Sequence, residues 1–547
     1  MRRIVVVLVL GLVAGVWPAA RGAAHGPALA QARPAGSLQA DFNNDGIDDL
    51  AVGVPLDTVG AAVGAGAVNV FYGSATGLGG TGSQLFSQAT PGVPGSAETD
   101  DGFGSALATG DFNNDTFADL AVGAPGESVG AAVAAGAVNV LYGSATGLTG
   151  TGSQLFTQVG GAVEAGDQFG SALAAGDFDN DAAADLAAAA PFESVAGTVD
   201  AGAVSVLPGS AAGLTAAGGA LFTQVGGAVE TGDLFGFAVA AGDFDGDAFA
   251  DLAVGAPDED VGGTVDAGAV SVLSGSAGGL TTAGGALFTQ VGSQAEPFDL
   301  FGFALAPGDF DNDTFVDLAA SAPFESVGST VDAGAVSVLA GSAAGLTAAG
   351  GQLFTQVGGA VEAGDLFGFA VGAGDVNGDA FADLAAGAPA ERVGNTADAG
   401  AVSVLPGSAG GLSAAGGQLF TQVGGAVETG DSFGSALATG DFDGDAFADL
   451  AAGAPFENVG SVDDAGAVSV LPGSAGGLTA AGGQLFTQDS PGVPGTAQEL
   501  DLFGSTLATG DPGPAPAPTT APGAGSRVPA AAQVPLVNAR GPVTGRR

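Results

Sequence analysis

The sequence predicts an all-β fold, a closed seven-bladed β-propeller of four-stranded antiparallel blades, and three observations carry that expectation. An acidic loop, first met as Asp41-Phe42-Asn43-Asn44-Asp45-Gly46-Ile47-Asp48-Asp49, recurs from Asp111, Asp177, Asp243, Asp309, Asp375 and Asp441, spaced by 70 residues once and 66 five times. A period of that size marks a supersecondary unit repeated in an array. Each period holds four short apolar runs separated by Gly, Pro, Asn and Asp, the pattern of one small antiparallel sheet. The first repeat lacks its opening run, and the far end of the chain supplies it as Leu502-Phe503-Gly504-Ser505-Thr506-Leu507-Ala508-Thr509-Gly510-Asp511, stopped by Pro512. A last strand that completes the first blade closes a ring, whereas an open stack would need polar caps at both ends.

The copy at residues 167–232 shows the elements in order. An opening run, Asp167 to Ala174, leads through Gly176 into the acidic loop. Asp185 to Ala190 forms a second strand stopped by Pro191, Gly202 to Leu207 a third stopped by Pro208-Gly209-Ser210, and Ala220 to Gln224 a fourth. The repeats flanking the seam share an insertion, Pro91-Gly92-Val93-Pro94-Gly95 and Pro491-Gly492-Val493-Pro494-Gly495, absent from the five between. The array spans residues 37–511.

Before it, Met1-Arg2-Arg3 and the apolar run Ile4 to Trp17 read as a secretory signal peptide over residues 1–30, with small-residue cleavage sites at Pro18-Ala19-Ala20 and Ala28-Leu29-Ala30. The run is too short to span a membrane comfortably, so no transmembrane segment is expected after cleavage. Residues 512–547 form a Pro/Ala-rich tail with the composition of a disordered linker. The chain is therefore expected to be secreted, extracellular or at the cell surface. It has no cysteine, so an exported array must gain its extra stability from something other than disulfides.

Charge points to the same answer. The chain carries 58 acidic and nine basic residues; every acid lies within the array and only Arg392 among the bases does. Such a body repels nucleic acid and anionic membrane, and repels itself unless cations bind.

The loop is built to bind them. Positions one, three, five and nine carry side-chain oxygens, and position seven offers its backbone carbonyl. The first copy supplies Asp41, Asn43, Asp45, Ile47 and Asp49; the second Asp111, Asn113, Asp115, Phe117 and Asp119; the third Asp177, Asp179, Asp181, Ala183 and Asp185. The fourth supplies Asp243, Asp245, Asp247, Phe249 and Asp251; the fifth Asp309, Asp311, Asp313, Phe315 and Asp317. The sixth supplies Asp375, Asn377, Asp379, Phe381 and Asp383, and the seventh Asp441, Asp443, Asp445, Phe447 and Asp449. Alternate residues of a curled segment point inward, giving five or more hard oxygens around one centre. That suits Ca²⁺, up to seven per chain, better than octahedral Mg²⁺ or a soft metal. Position four is only Asn or Gly, the residues that best tolerate a left-handed backbone. A helix-loop-helix calcium hand is excluded, since its twelfth-position Glu is missing. The third copy lacks the aromatic at position seven, so its own site is expected to be less well packed.

The chain resembles the FG-GAP repeats of the propeller in integrin alpha subunits and related bacterial exported proteins. The residues carrying the resemblance are Phe103-Gly104, Phe169-Gly170, Phe235-Gly236, Phe301-Gly302, Phe367-Gly368, Phe433-Gly434 and Phe503-Gly504, with Gly123-Ala124-Pro125, Gly255-Ala256-Pro257, Gly387-Ala388-Pro389 and Gly453-Ala454-Pro455. Gly53-Val54-Pro55, Ala189-Ala190-Pro191 and Ser321-Ala322-Pro323 depart from the second motif. The resemblance implies calcium between the first and second strands of a blade, and extracellular binding or adhesion.

Two further acidic series repeat. Glu127, Glu193, Glu259, Glu325, Glu391 and Glu457 follow the proline, and Asp200, Asp266, Asp332, Asp398 and Asp464 precede the third strand. Both are expected to be solvated loop surface. Leu-Phe pairs such as Leu155-Phe156 and Leu353-Phe354 are expected between blades. With His25 the sole histidine and no Cys or Lys, nucleophile–base pairs, thiol chemistry and phosphate clamps have no side chains to build from. The expectation is a monomeric, non-enzymatic calcium-binding scaffold for adhesion or protein binding, its protein or carbohydrate ligand unspecified. A calcium-dependent lectin-like module, a structural matrix protein and, last, a carboxylate-based glycoside hydrolase are the alternatives.

Overall fold

The computed structural model describes residues 40–509. The expected signal peptide and tail, and the outermost residues of the 37–511 span, lie outside the described residues. Among the described residues 28 strands, β1 to β28 in chain order, form seven antiparallel sheets of four. The first sheet joins the two ends of the array. Its strands run in the order β28 (Thr506–Ala508), β1 (Leu50–Val54), β2 (Ala67–Phe71), β3 (Gln84–Phe86). Ala51 faces Ala508, Val52 faces Leu507 and Gly53 faces Thr506. The ring is therefore closed by the strand the sequence marks as displaced.

Side-chain size follows position in the blade. The three inner strands of every sheet are almost wholly buried and rich in Ala, Gly and Val, as in Asp185–Ala190; blades converge toward the axis, where only small side chains fit. The fourth, outer strands are half-buried, and Leu155 is exposed although Phe354 is buried. The Leu-Phe pairs thus lie at the rim of the inter-blade packing rather than in its centre. Seven apolar clusters, one at each junction, replace a single core. The cluster at the seam joins Leu50, Val52 and Phe71 of the first blade to Phe442, Val468 and Phe486 of the last.

The opening strand begins later than its alternating pattern suggests. In the copy at 167–232 it covers Leu173–Gly176, because Gly170 has a φ of 87° that places Phe-Gly in a turn. The Phe of each pair is fully buried, and its backbone N–H donates to the carbonyl of a residue before the third strand, as Phe169 N to Ala135 O at 2.9 Å.

The shared insertion has a structural partner. Asn69 Nδ2 donates to Pro494 O at 2.8 Å, and Asn139 Nδ2 donates to Pro94 O at 2.7 Å. The other five blades carry Ser at that place, and each hydroxyl donates to a Val carbonyl of the preceding blade at 3.0–3.2 Å. A longer linker from the preceding blade is thus matched by a longer side chain on the receiving third strand. Asn139→Ala, which orphans the Pro94 carbonyl, should lower stability by about 1–3 kcal/mol. Chemical denaturation checks this; an unchanged midpoint would mean the linker is not held there.

Three phenylalanines break the symmetry of the ring. Phe237, Phe303 and Phe369 follow Phe-Gly in three consecutive blades where the other four have Ser. Their rings lie 5.0 and 5.2 Å apart, an aromatic wall across three blades on the face where the opening strands begin.

Candidate metal centres

Each loop joins the opening strand to the second strand of its blade, so all seven lie at the same end of the inner hairpins. Within a loop, hydrogen bonds shape the backbone around the carboxylate at position one. Its two oxygens accept the N–H groups of positions five and six at 2.7–3.1 Å in every copy, as Asp41 does from Asp45 and Gly46. The carboxylate at position nine reaches back to the N–H of position two and across to a glycine 24 residues on. Asp49, for example, accepts from Phe42 N and Gly73 N, both at 2.9 Å. That glycine (Gly73, Gly143, Gly209, Gly275, Gly341, Gly407, Gly473) belongs to the site, although sequence reasoning passed over it. Its signal is the Gly-Ser pair that ends every third strand. A Cβ on Gly73 would lie 2.3 Å from Asp48 O.

Positions one and nine are mostly buried, while position five is open to solvent. Burial pushes the position-nine carboxyls up, to about 9 at Asp49, about 8 at Asp119 and Asp449 and about 7 at Asp185, Asp251, Asp317 and Asp383; the N–H donors offset this only in part. In four loops three carboxylates come together, each group offering oxygens within 4.8 Å of one another. These are Asp177, Asp179 and Asp185; Asp243, Asp245 and Asp251; Asp309, Asp311 and Asp317; and Asp441, Asp443 and Asp445. In the first, second and sixth copies Asn stands at position three. Asn43 Oδ1 and Asn113 Oδ1 are buried without a hydrogen-bond partner, whereas Asn377 donates to Asp383 at 3.1 and 3.2 Å. An all-oxygen set with an orphaned amide oxygen fits a hard divalent cation.

Position four is left-handed in all seven copies, from φ 54° at Asn44 to 73° at Gly246 and Gly378. So is position six, which the sequence leaves as Thr or Ala in six copies: Thr116 has φ 78°, Ala182 78° and Thr314 79°. A non-glycine residue there stores about 1–3 kcal/mol of strain, which persists because the position-one carboxylate holds its N–H. Thr314→Gly should therefore stabilise the cation-free protein by about 1 kcal/mol, after allowance for the entropy that glycine adds to the unfolded chain. Thermal unfolding in chelator is the check, and a lower melting point would refute the strain.

The aromatic at position seven covers the neighbouring loop rather than its own. Around the glycine at position four, a Cβ on Gly246 would lie 2.7 Å from the ring of Phe315, and one on Gly378 2.6 Å from that of Phe447. By the same register Ala183 withholds cover from the loop starting at Asp111, not from its own. Loops are also tied in series. The N–H of position eight donates to the position-one carbonyl of the preceding loop at 2.9–3.2 Å at every junction, ending with Asp48 N to Asp441 O at 3.1 Å. Asp48, the only acid at position eight, is fully buried and accepts Asp441 N through Oδ2 at 2.9 Å.

The post-proline series departs from expectation. Glu193, Glu259, Glu325, Glu391 and Glu457 are buried rather than solvated. The second series, Asp200 to Asp464, is half-buried at turns with φ near 50°, which Asp tolerates.

Six segments, residues 103–141, 169–207, 235–273, 301–339, 367–405 and 433–471, match the family model for the FG-GAP repeat. Phosphatidylinositol-glycan-specific phospholipase D of Rattus norvegicus is 36% identical over 156 residues, 28% of this chain and 18% of that protein. Integrin alpha-PS2 of Drosophila melanogaster is 32% identical over 237 residues, 42% of this chain and 16% of that protein. Integrin alpha-V of Gallus gallus is 34% identical over 160 residues, covering 28% and 15%. The chain thus spans less than a fifth of the length of these relatives. Among solved structures, a rhamnogalacturonan lyase of Bacillus licheniformis aligns with a TM-score of 0.31 at 10% identity, over 70% of this chain and 72% of that one; likeness at that level carries no argument.

Proposed function

The chain is an FG-GAP-repeat β-propeller similar to that of integrin alpha subunits, and on that premise we propose that it is a secreted or cell-surface calcium-binding scaffold that binds another protein without catalysing a reaction. Asp, Asn and backbone oxygens of the loops hold the ions, which fasten blade to blade. The observation that supports a protein ligand lies on the opposite face. Val63, Val133, Val199, Val265 and Val331, at equivalent places in five consecutive blades, are 46–67% exposed. Ala397 and Asp463 take that place in the other two blades, so the valines form an arc. The backbone beneath is fixed, since Val133 O and Val199 O accept N–H bonds from Gly166 and Gly232 at 3.0 and 3.1 Å. Apolar side chains held rigidly in solvent, beside acidic loops, suit a partner with an apolar and basic surface.

No helix among the described residues is long and apolar enough to cross a membrane. The test is binding of the full chain to a panel of extracellular and cell-surface proteins, with and without chelator, alongside the V133D/V199D double variant. Saturable binding weakened at least tenfold by the variant supports the reading. Hits confined to a glycan array would favour a lectin, and turnover of a glycan or a glycosylphosphatidylinositol would replace the scaffold with an enzyme.

A further inference from the structure

Five blades, the third to the seventh, gather a second set of oxygen ligands at the end of the inner hairpin opposite the loop. In the third blade Asp167 lies two residues before Phe169-Gly170, and Glu193 lies two residues after Pro191, so the opening and second strands bring them together. Both are at least nine-tenths buried; burial raises both carboxyls above their ordinary range, and the Asp167 charge raises Glu193 further. Asp167 Oδ2 accepts Glu164 N at 2.6 Å, while Glu193 Oε2 is buried with no hydrogen-bond partner. Beside Glu193 stands Gln158 of the preceding blade, itself buried, with both amide atoms lacking a well-formed partner. The pattern recurs in the next four blades: Gln224, Gln290, Gln356 and Gln422 are orphaned in the same way, as are Oε2 of Glu259, Glu325, Glu391 and Glu457.

Two carboxylates in contact cannot both stay ionised without a positive charge between them. A shared proton would answer that, but it would leave the glutamine oxygen unsatisfied in all five blades. A cation satisfies the Asp, the Glu and the amide oxygen together. In blade six Arg392, the sole basic residue of the array, sets its Nε 3.8 Å from Glu362 in a half-exposed surface pair beside the set, Glu362 being the residue whose N–H holds Asp365 Oδ2. The first two blades differ. In the second, Gln88 Nε2 donates to Glu127 Oε2 at 2.8 Å. In the first, Asp57 stands in place of Glu and accepts Gln498 Nε2 at 2.9 Å, while the amide of Gln488, the counterpart of Gln158, stays unpartnered.

We propose that the Asp–Glu–Gln sets of blades three to seven are a second tier of sites for an oxygen-preferring divalent cation of the calcium class, on the face opposite the loops. The proposal goes beyond the reading of the loops and does not depend on their being filled. With two carboxylates where most loops have three, these sites bind more weakly, at about 10⁻⁴–10⁻³ M.

The test is equilibrium dialysis of the full chain at millimolar calcium, comparing the parent with a variant carrying E193Q, E259Q, E325Q, E391Q and E457Q. With Kd of about 10⁻⁴–10⁻³ M the five sites are half to nine-tenths filled at that concentration, so the parent should hold about three to five more ions per chain than the variant. Equal loading of both would overturn the proposal, and would leave the loop sites standing if ions are still bound; no bound ion in either would sink both tiers. Should the five-fold variant fail to fold, europium excitation spectra decide with single substitutions. Two bands are expected, the weaker class losing about a fifth of its intensity in E193Q, one site in five. A single band, with E193Q altering only proton uptake near neutral pH, would mean that the pairs share protons and refute the cation.

Discussion

Removal of divalent cations from the full chain is expected to lower its melting temperature by about 20 °C. A ligand present at a hundred times its Kd stabilises the folded state by about 2.7 kcal/mol per site, so seven loops together contribute on the order of 20 kcal/mol. Unfolding of the described residues, 40–509, carries an entropy of roughly 1 kcal/mol per kelvin on the usual per-residue scale, which sets the size of the shift. The physical cause lies within each loop. Position-one and position-nine carboxylates are buried beside one another, and the left-handed residues at positions four and six gain no strand pairing in return. Calorimetry before and after chelation, with magnesium as the comparison ion, reads the effect. A shift below a few degrees would make the loops hydrogen-bonded turns and nothing more. Recovery by magnesium as complete as by calcium would remove the case for calcium.

Truncation before Leu502 is expected to have the next largest effect, abolishing the cooperative unfolding of the ring. It removes β28, leaves β1 with an unpaired edge, and takes out Phe503, buried completely against the last blade. Loss of that one aromatic costs about 3–5 kcal/mol, before the ladder bonds of β1 are counted. The exposed edge of β1 is then a template for a second chain, so the truncated protein should form dimers or larger species on gel filtration. A peptide covering residues 502–511 supplied in trans should restore the monomer. A truncated protein that melts as cooperatively as the parent would show that closure is not needed.

Much of this structure was legible because the array is periodic. The seven loops, their ligand positions and the strand displaced across the seam follow from spacing and residue type, and Asn or Gly at position four announced its backbone. What stayed hidden depends on contacts between repeats. Position six gave no warning of its left-handed backbone, because the N–H held by the position-one carboxylate overrides the preference of Thr and Ala. The post-proline glutamates looked solvated, since acidity is a poor guide to burial when another blade closes over the side chain. Asn69 and Asn139 explained the shared insertion only once the linker of the preceding blade was seen to cross them. Phe237, Phe303 and Phe369 lie 66 residues apart in the chain, and only the ring brings their tilted rings to 5.0 and 5.2 Å.

The seam also has a mechanical consequence. Because β1 and β28 are antiparallel, with Ala51 opposite Ala508, the chain enters β1 and leaves β28 at the same end of their ladder. Force applied between those two ends peels the strands apart one bond at a time instead of shearing the whole ladder at once. The blade that closes the ring is thus a soft latch, weak when pulled along the chain and strong when the other six blades are pressed or twisted. In a single-molecule pull it should release first, at a force below that of any later step; a first release equal to the rest would deny the latch.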